Sequence, residues 1–318
     1  RKEAGGCSDD RCSKTQTLQR LIFMARTLTI GNGNLLVGID SRAQVRDFFF
    51  PFAGHSNHVS GASGSYKHRI GVWADGVLKW LSDDSWHVTT LSGTESVAHT
   101  FIARNEILGV TLTIVDAVHN EHNIFLRSIQ VTDEWESVRT IKIFFAQEFR
   151  ISESRRGDTA FYDPRVGSII HYKGHETFLV HALIDGESFS DYTVGLFGIE
   201  GKEGSYMDAE DGLLSHNPIE HGSVDSTIGV TFESRGKSTA LVQYWITAGD
   251  SIHEAHVLHK EVLTERPLNL IESTTEYWHA WVNKETRDFS PIEKSLQHLY
   301  EQSLIIIRVH ADNRGGII

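Results

Sequence analysis

Cysteine is nearly missing from this chain: there are two among 318 residues, Cys7 and Cys12. None follows Met24. The main body therefore needs no disulfide and cannot hold a cysteine zinc site or a thiol nucleophile, and a reducing cytoplasm is the expected compartment. Proline is scarce too, with five residues, and no low-complexity linker occurs. No apolar run reaches the roughly 18 residues of a membrane-spanning helix. Basic residues are outnumbered, 30 against 42 acidic, for a net charge of −12. That balance argues against a nucleic-acid partner, because phosphate binding needs basic patches. Nor is there a dinucleotide fingerprint. Gly31-Asn32-Gly33 begins like one, but its third glycine would fall at Leu36, and the following residues alternate as a strand does.

Residues 1–23 are polar and without sustained period, and are expected to form a leader outside the folded unit, disordered or artefactual. Their one apolar run, Leu21-Ile22-Phe23, is too short for a signal-peptide core.

The stretch Leu28–Val59 carries the strongest local signals. Asn32-Gly33 between apolar runs predicts a hairpin, since both turn residues tolerate positive φ. Leu35–Ile39 and Val45–Phe50 read as further strands. A loop rich in aromatics, imidazoles and an amide should follow, from Phe50 to His58, with Pro51 ending the strand or marking an edge. Asp75-Gly76 predicts a second hairpin. Strand signals then continue to Gly249, for example Leu108–Val115, Phe125–Val131, Val138–Phe149, Thr177–Leu183, Asp225–Phe232 and Thr239–Ile246. About fourteen or more short strands with no helix between them predict a mainly β fold, a large antiparallel super-β-sandwich.

At Gly249 the period changes. Ser251 and Glu254 form a capping box that opens a helix to about Glu265. Pro267 starts a second helix with Leu268, Ile271, Trp278, Trp281 and Val282 on one face. Ser290-Pro291-Ile292-Glu293 is a second capping box with proline at the first helical position. The helix it opens has Ile292, Leu296, Leu299, Ser303, Ile306 and His310 on one stripe, with Tyr300, Leu304 and Ile307 beside it. It should run to Asn313-Arg314-Gly315-Gly316 and be buried on most sides. Such a helix with no partner after it suggests a second, helical domain cut off at its entrance. The expected organisation is a sandwich over 24–249, a helical linker over 250–289, and the first helix of the next domain over 290–318.

Three segments carry a family resemblance: IGNGNLLVGID with DFFFPFAGHSNHV, then GSYMDAEDGLLSHNPIEHGSVDS (Gly204–Ser226), then SLIIIRVHADNRGGII (Ser303–Ile318). Together, with GDTAFYDP (Gly157–Pro164), they resemble the prokaryotic branch of glycoside hydrolase family 15, which includes glucoamylases, glucodextranases and trehalases. The resemblance implies a super-β-sandwich joined by linker helices to an (α/α)6 barrel, of which Pro291–His310 would be the first, truncated helix. It also implies inverting hydrolysis of an oligosaccharide or disaccharide, an α-glucan or trehalose, by two barrel glutamates that would lie beyond residue 318. No catalytic residue is carried over to this chain. Neither cofactor nor metal is implied, and the fragment is expected to be inactive. Sandwich loops approach the pocket mouth in that family, so Phe50, Pro51, His55, Asn57 and His58 are expected beside the sugar subsites, or else packed against the barrel. Two alternatives stand beside this reading: a free-standing carbohydrate-binding or structural sandwich, and the sandwich of a related glycoside phosphorylase.

Other constellations point mainly to structure. His253, His256 and His259 step by three, which drifts about 60° each time around a helix and separates the first from the last. His55-x-x-His58 with Asn57 is a second weak metal motif. Asp208-Ala209-Glu210-Asp211-Gly212 lacks the alternating ligands of a calcium loop and fits a sheet-connecting turn. Trp278 and Trp281, with Tyr277, fit a core stripe better than a sugar-stacking platform.

Overall fold

A computed structural model describes residues 28–59, 68–91, 98–154, 156–285, 289 and 292–317. The expected leader lies outside the described residues, as do Ser290 and Pro291 of the second capping box. The fold is mainly β, as expected. Among the described residues, twenty strands form three sheets of four, ten and six, and every pairing between them is antiparallel.

The four-strand sheet is the Leu28–Val59 stretch, in chain order: Leu28–Gly31, Leu36–Ile39, Val45–Phe52 and His55–Asn57. The ten-strand sheet has Glu176–Ile184, Thr239–Gly249, Ile124–Asp133 and Val110–Val118 at its centre. In the six-strand sheet Val224–Ser234 and Arg139–Gln147 are central. All three sheets feed one core. Phe149 and Phe178 stack at 4.7 Å there, and Phe48 meets both edge-on at 6.0 and 5.4 Å.

Strand Ile124–Asp133 shows how both sides of the large sheet are used. Phe125, Ile129 and Val131 enter the main core, while Ile124 and Leu126 join a second cluster with Trp245, Leu258, Val262, Leu270 and Ile271. The last four belong to two helices, α1 (Ile252–Glu265) and α2 (Pro267–Val282). Helical cover on the outer face explains why a strand of this antiparallel sheet is buried over nearly its whole length.

The expected turns form with small differences. Asp75 and Gly76 both take positive φ, 53° and 82°, as a two-residue hairpin requires. The Asn32-Gly33 hairpin is longer: Gly31 pairs with Leu36, and Asn32 Oδ1 accepts from Asn34 N and Leu35 N at 3.0 and 2.9 Å. At α1, Ser251 Oγ accepts from Glu254 N at 3.2 Å, but Glu254 Oε2 accepts from Asp250 N at 2.8 Å, one residue before the reciprocal position of a capping box.

Three expectations are corrected. The Phe50–His58 loop is a hairpin whose first strand runs through Pro51 to Phe52, because a register shift between Phe49 and Phe52 removes the need for a proline N–H. On α2, Leu268 faces outward and Leu270, Ile271, Thr274 and Trp278 face inward. The third helix, α3, spans Lys294–Val309, with Glu293 and not Ser290 at its N-cap. It stops at Val309 because Asp312 Oδ1 accepts from Arg314 N and Gly316 N at 2.6 and 3.0 Å, curling the chain into a turn. Within the described residues α3 is covered on one stripe. Val309 and Ile305 join the main core near Trp278 and Trp281, while Leu296, Leu299, Tyr300, Ile306 and Ile307 stand 39–60% exposed.

Candidate functional site

The outer face of the four-strand sheet is where the first and last described segments meet. Strand register puts Thr29, Gly38 and Asp47 in one row and Gly31, Leu36 and Phe49 in the next, all on the same face. The opposite face carries Ile30, Val37, Ile39 and Phe48 into the core. His310, just after α3, closes over the outer face. With Thr29, Leu36, Gly38, Asp47 and Phe49 it lines a cavity of about 230 Å³.

Two asparagines fix this junction. The Asn32 side-chain amide donates to His119 O and His122 O at 3.0 and 2.9 Å, tying the hairpin tip to the large sheet. Asn313 N donates to Gly33 O at 3.2 Å, and Asn313 Nδ2 donates to Asn34 Oδ1 and Asn32 O at 3.0 and 3.3 Å. Glycine is required at position 33, since φ is 93° and a Cβ would come within 2.4 Å of Asn313 Oδ1. The Asp312 turn then carries Arg314 over Phe52, its guanidinium 3.4 Å from the ring centre. Phe52 meets the exposed His55 edge-on at 6.0 Å. Cation–π contact of this kind holds the guanidinium in place while its donors remain open to a ligand.

The residues expected near a sugar divide into two groups. Phe50 is buried in the core, edge-on to Phe178 at 6.1 Å. His58 is wholly buried: Ser152 N donates to its Nδ1 at 3.1 Å, so Nε2 carries the proton and donates to Phe50 O at 2.8 Å. Burial holds its pKa below the ordinary histidine value. Asn57 is equally committed. Its Oδ1 accepts from Phe48 N and Val59 N at 3.0 and 3.1 Å, and its Nδ2 donates to Asp47 Oδ1 at 2.7 Å. His55 and Pro51 face outward in part, beside Phe52.

Asp47, Phe49, His310 and Arg314 were not among the expected site residues. The strand alternation that puts Asp47 and Phe49 on one face was readable; their meeting with His310 depends on a contact between remote segments. Burial raises the Asp47 pKa, against the pull of Asn57 and Arg46. Among the residues lining the cavity Asp47 is the one carboxylate. Inverting hydrolysis needs a second carboxyl group about 6.5–9.5 Å away. With one carboxylate in its lining this face lacks that pair, and hydrolysis would need groups from elsewhere.

The bond pattern gives His58 a measurable structural weight. Replacing it by Ala should cost about 3 kcal/mol, from the cavity and the two stranded backbone groups. Urea unfolding would check this, and an unchanged midpoint would contradict the assignment.

The remaining motifs hold structure together. His259 is buried and accepts from Trp245 Nε1 at 3.2 Å, while His253 is exposed on the other side of α1. Among the described residues, no three His, Cys, Asp or Glu side chains are placed to hold a metal. Asp208 Oδ2 accepts from Ser215 N at 2.6 Å and Asp211 Oδ1 from Leu213 N at 2.9 Å, so that cluster shapes its own turn. Trp278 lies in the core. No described helix is long and apolar enough to cross a membrane.

No protein-family model matches the chain. It is similar to an uncharacterized glycosyl hydrolase, MJ1610, of Methanocaldococcus jannaschii, with 22% identity over 299 residues that cover 91% of this chain and 46% of that protein. Among solved structures, a bacterial glucoamylase complexed with acarbose superposes with a TM-score of 0.71 at 13% identity, covering 90% of this chain and 41% of the other. A putative kojibiose phosphorylase from the human microbiome gives a TM-score of 0.53 at 11% identity, covering 89% and 39%. The chain is thus glycosyl-hydrolase-like, with a sandwich-and-helix fold that spans less than half the length of these relatives.

Proposed function

We propose that this chain is the sandwich, connecting helices and first barrel helix of a glucoamylase-like, inverting α-glycosidase of family 15. The whole enzyme releases glucose from α-glucans or cleaves trehalose, and the chain by itself is inactive. One observation carries the reading: α3 is docked on the sandwich by Val309 and Ile305 but leaves five large apolar side chains in solvent. Covering them would contribute about 1 kcal/mol each, because about half of each side chain remains to be buried. Barrel helices are the cover this reading supplies. The sandwich over 24–249, the linker over 250–289 and the barrel entrance at 290–318 belong to the same proposal.

In this reading the face with Asp47, Phe49, His310, Phe52, His55 and Arg314 borders the barrel mouth, where it meets the oligosaccharide or disaccharide substrate. Phe52 and Phe49 offer apolar surface to pyranose C–H faces, and Arg314 and His55 offer donors to hydroxyls. Phe50, Asn57 and His58 shape the hairpin that carries them.

The assay is glucose release from maltodextrin, isomaltose and trehalose. This chain should release none, and a polypeptide of the relatives' length carrying this sequence should release β-glucose from maltodextrin, or α- and β-glucose in equal amounts from trehalose, whose leaving glucose keeps its configuration, as seen by proton NMR. Sustained release by this chain alone, or α-glucose as the first product from maltodextrin with the longer one, would overturn the proposal. The likeness to a kojibiose phosphorylase favours a second reading, phosphorolysis. Cleavage that requires inorganic phosphate and yields a sugar phosphate would select it.

A further inference from the structure

The six-strand sheet carries a groove of its own, about 460 Å³ in volume, between strand Asp191–Ile199, the Ser205–Asp211 turn and the segment Ser215–Glu220. We propose that this groove binds a neutral, hydroxyl-rich ligand, an oligosaccharide, in this chain alone.

The floor of the groove has an unusual construction. Gly195 and Asp225 are register partners on neighbouring strands, so both project from the face on which the groove lies. A Cβ at Gly195 would fall 2.9 Å from Ser205 Cβ and 3.0 Å from Asp225 Oδ1, and one at Gly204 would fall 2.8 Å from Asp225 Oδ2. Two glycines thus bring the lining backbone onto a carboxylate. Asp225 is fully buried. Its Oδ2 accepts from Ser205 N and Oγ at 2.6 and 2.9 Å, while its Oδ1 has no partner among the described residues. A buried carboxylate oxygen without a donor is unfavourable, and it lies directly behind the floor of an open groove. Burial raises this carboxyl to about 6, against the pull of the Ser205 bonds and of Arg69.

The rim decides the ligand class. Glu203, Asp208 and Glu220 face one cation, Lys202, so the groove repels phosphate and other anions. Asn217 Nδ2 is already used by Val194 O and Glu220 Oε1, at 2.8 and 2.9 Å, which leaves its oxygen free. Acceptors therefore predominate, and they call for a ligand rich in O–H donors. A metal ion is the other partner of such a set, but no three described carboxylate, cysteine or histidine groups converge to hold one. Met207, 46% exposed on the rim, gives an apolar flank for a sugar's C–H face.

The test is isothermal titration of this chain with maltotriose and with trehalose, up to about 50 mM to cover millimolar affinity. Saturable binding of either sugar is expected. Glu220→Ala should weaken it at least about tenfold, and Ser215→Trp, which plugs the groove from an exposed position, should abolish it. The thermal unfolding midpoint of both variants should match the parent. No saturable binding, or binding that survives both substitutions, would overturn the proposal. So would a calcium-dependent rise in melting temperature with no response to sugar. The readout is independent of glucose release, so this groove and the proposed enzyme stand or fall separately.

Discussion

Lowering the pH from 7 to 5 should destabilise this fold by about 6 kcal/mol through three histidines alone. His171 and His181 are buried among aromatic rings, and burial takes each pKa down to about 3; His259, on the buried side of α1 with its ring 4.9 Å from that of His181, is taken to about 4. In the unfolded chain each would titrate near 6.5. Below that pH the unfolded state gains a proton that the folded state refuses. The stabilisation is complete above about 6.5, declines as pH falls, and is exhausted only below the folded values. At pH 5 each histidine has given up about 2 kcal/mol. His68, wholly buried and also well below the ordinary value, adds to the loss. Asp225 acts in the opposite sense, since a carboxyl raised to about 6 stabilises the fold as pH falls; it returns about 1 kcal/mol at pH 5. The net loss is comparable with the whole stability of many domains. Urea unfolding at the two pH values measures it, and coincident midpoints would show that these histidines are not held neutral.

The second large effect is expected at Arg127 and Asp116. They are register partners in the ten-strand sheet, both buried, and joined by two parallel bonds of 2.6 Å from Nε and Nη2. Arg127 Nη2 also donates to Ala43 O at 2.8 Å, which couples the large sheet to the turn that precedes strand Val45–Phe52. Asp116→Ala leaves a guanidinium buried without its counter-charge and should cost about 3–5 kcal/mol. Arg127→Met should cost a similar amount, by stranding the carboxylate. The double variant Asp116→Ala with Arg127→Met should be milder than the sum of the two single changes, because neither charge is then left alone. Additive losses would mean that the pair acts through packing only. An Asp116→Ala variant within about 1 kcal/mol of the parent would contradict the picture outright.

Much of the architecture was legible in the sequence because strand alternation and turn chemistry are local. Asn32-Gly33 and Asp75-Gly76 announced hairpins, and Ser251 announced α1. What periodicity does not state is which element covers an apolar stripe. Leu268 lies one step from the buried stripe of α2, and the exposed side of α3 is as apolar as its docked side. Side-chain fate was harder still. His58 and Asn57 have the chemistry of sugar ligands, yet partners as remote as Ser152 and as near as Asp47 occupy their bonding atoms. The junction of Gly33 with Asn313 joins opposite ends of the described chain, and no local pattern encodes it.

Labelling of α3 is the most direct check on the proposed origin of this chain. With Cys7 and Cys12 replaced by Ser, Leu299→Cys introduces a single thiol at a position that is 59% exposed. In this chain the thiol should react with a maleimide at the rate of a free cysteine. In a polypeptide of the relatives' length carrying the same sequence it should be strongly protected until the protein is unfolded. Equal, rapid labelling in both would mean that nothing packs on this face, and the barrel reading would fail.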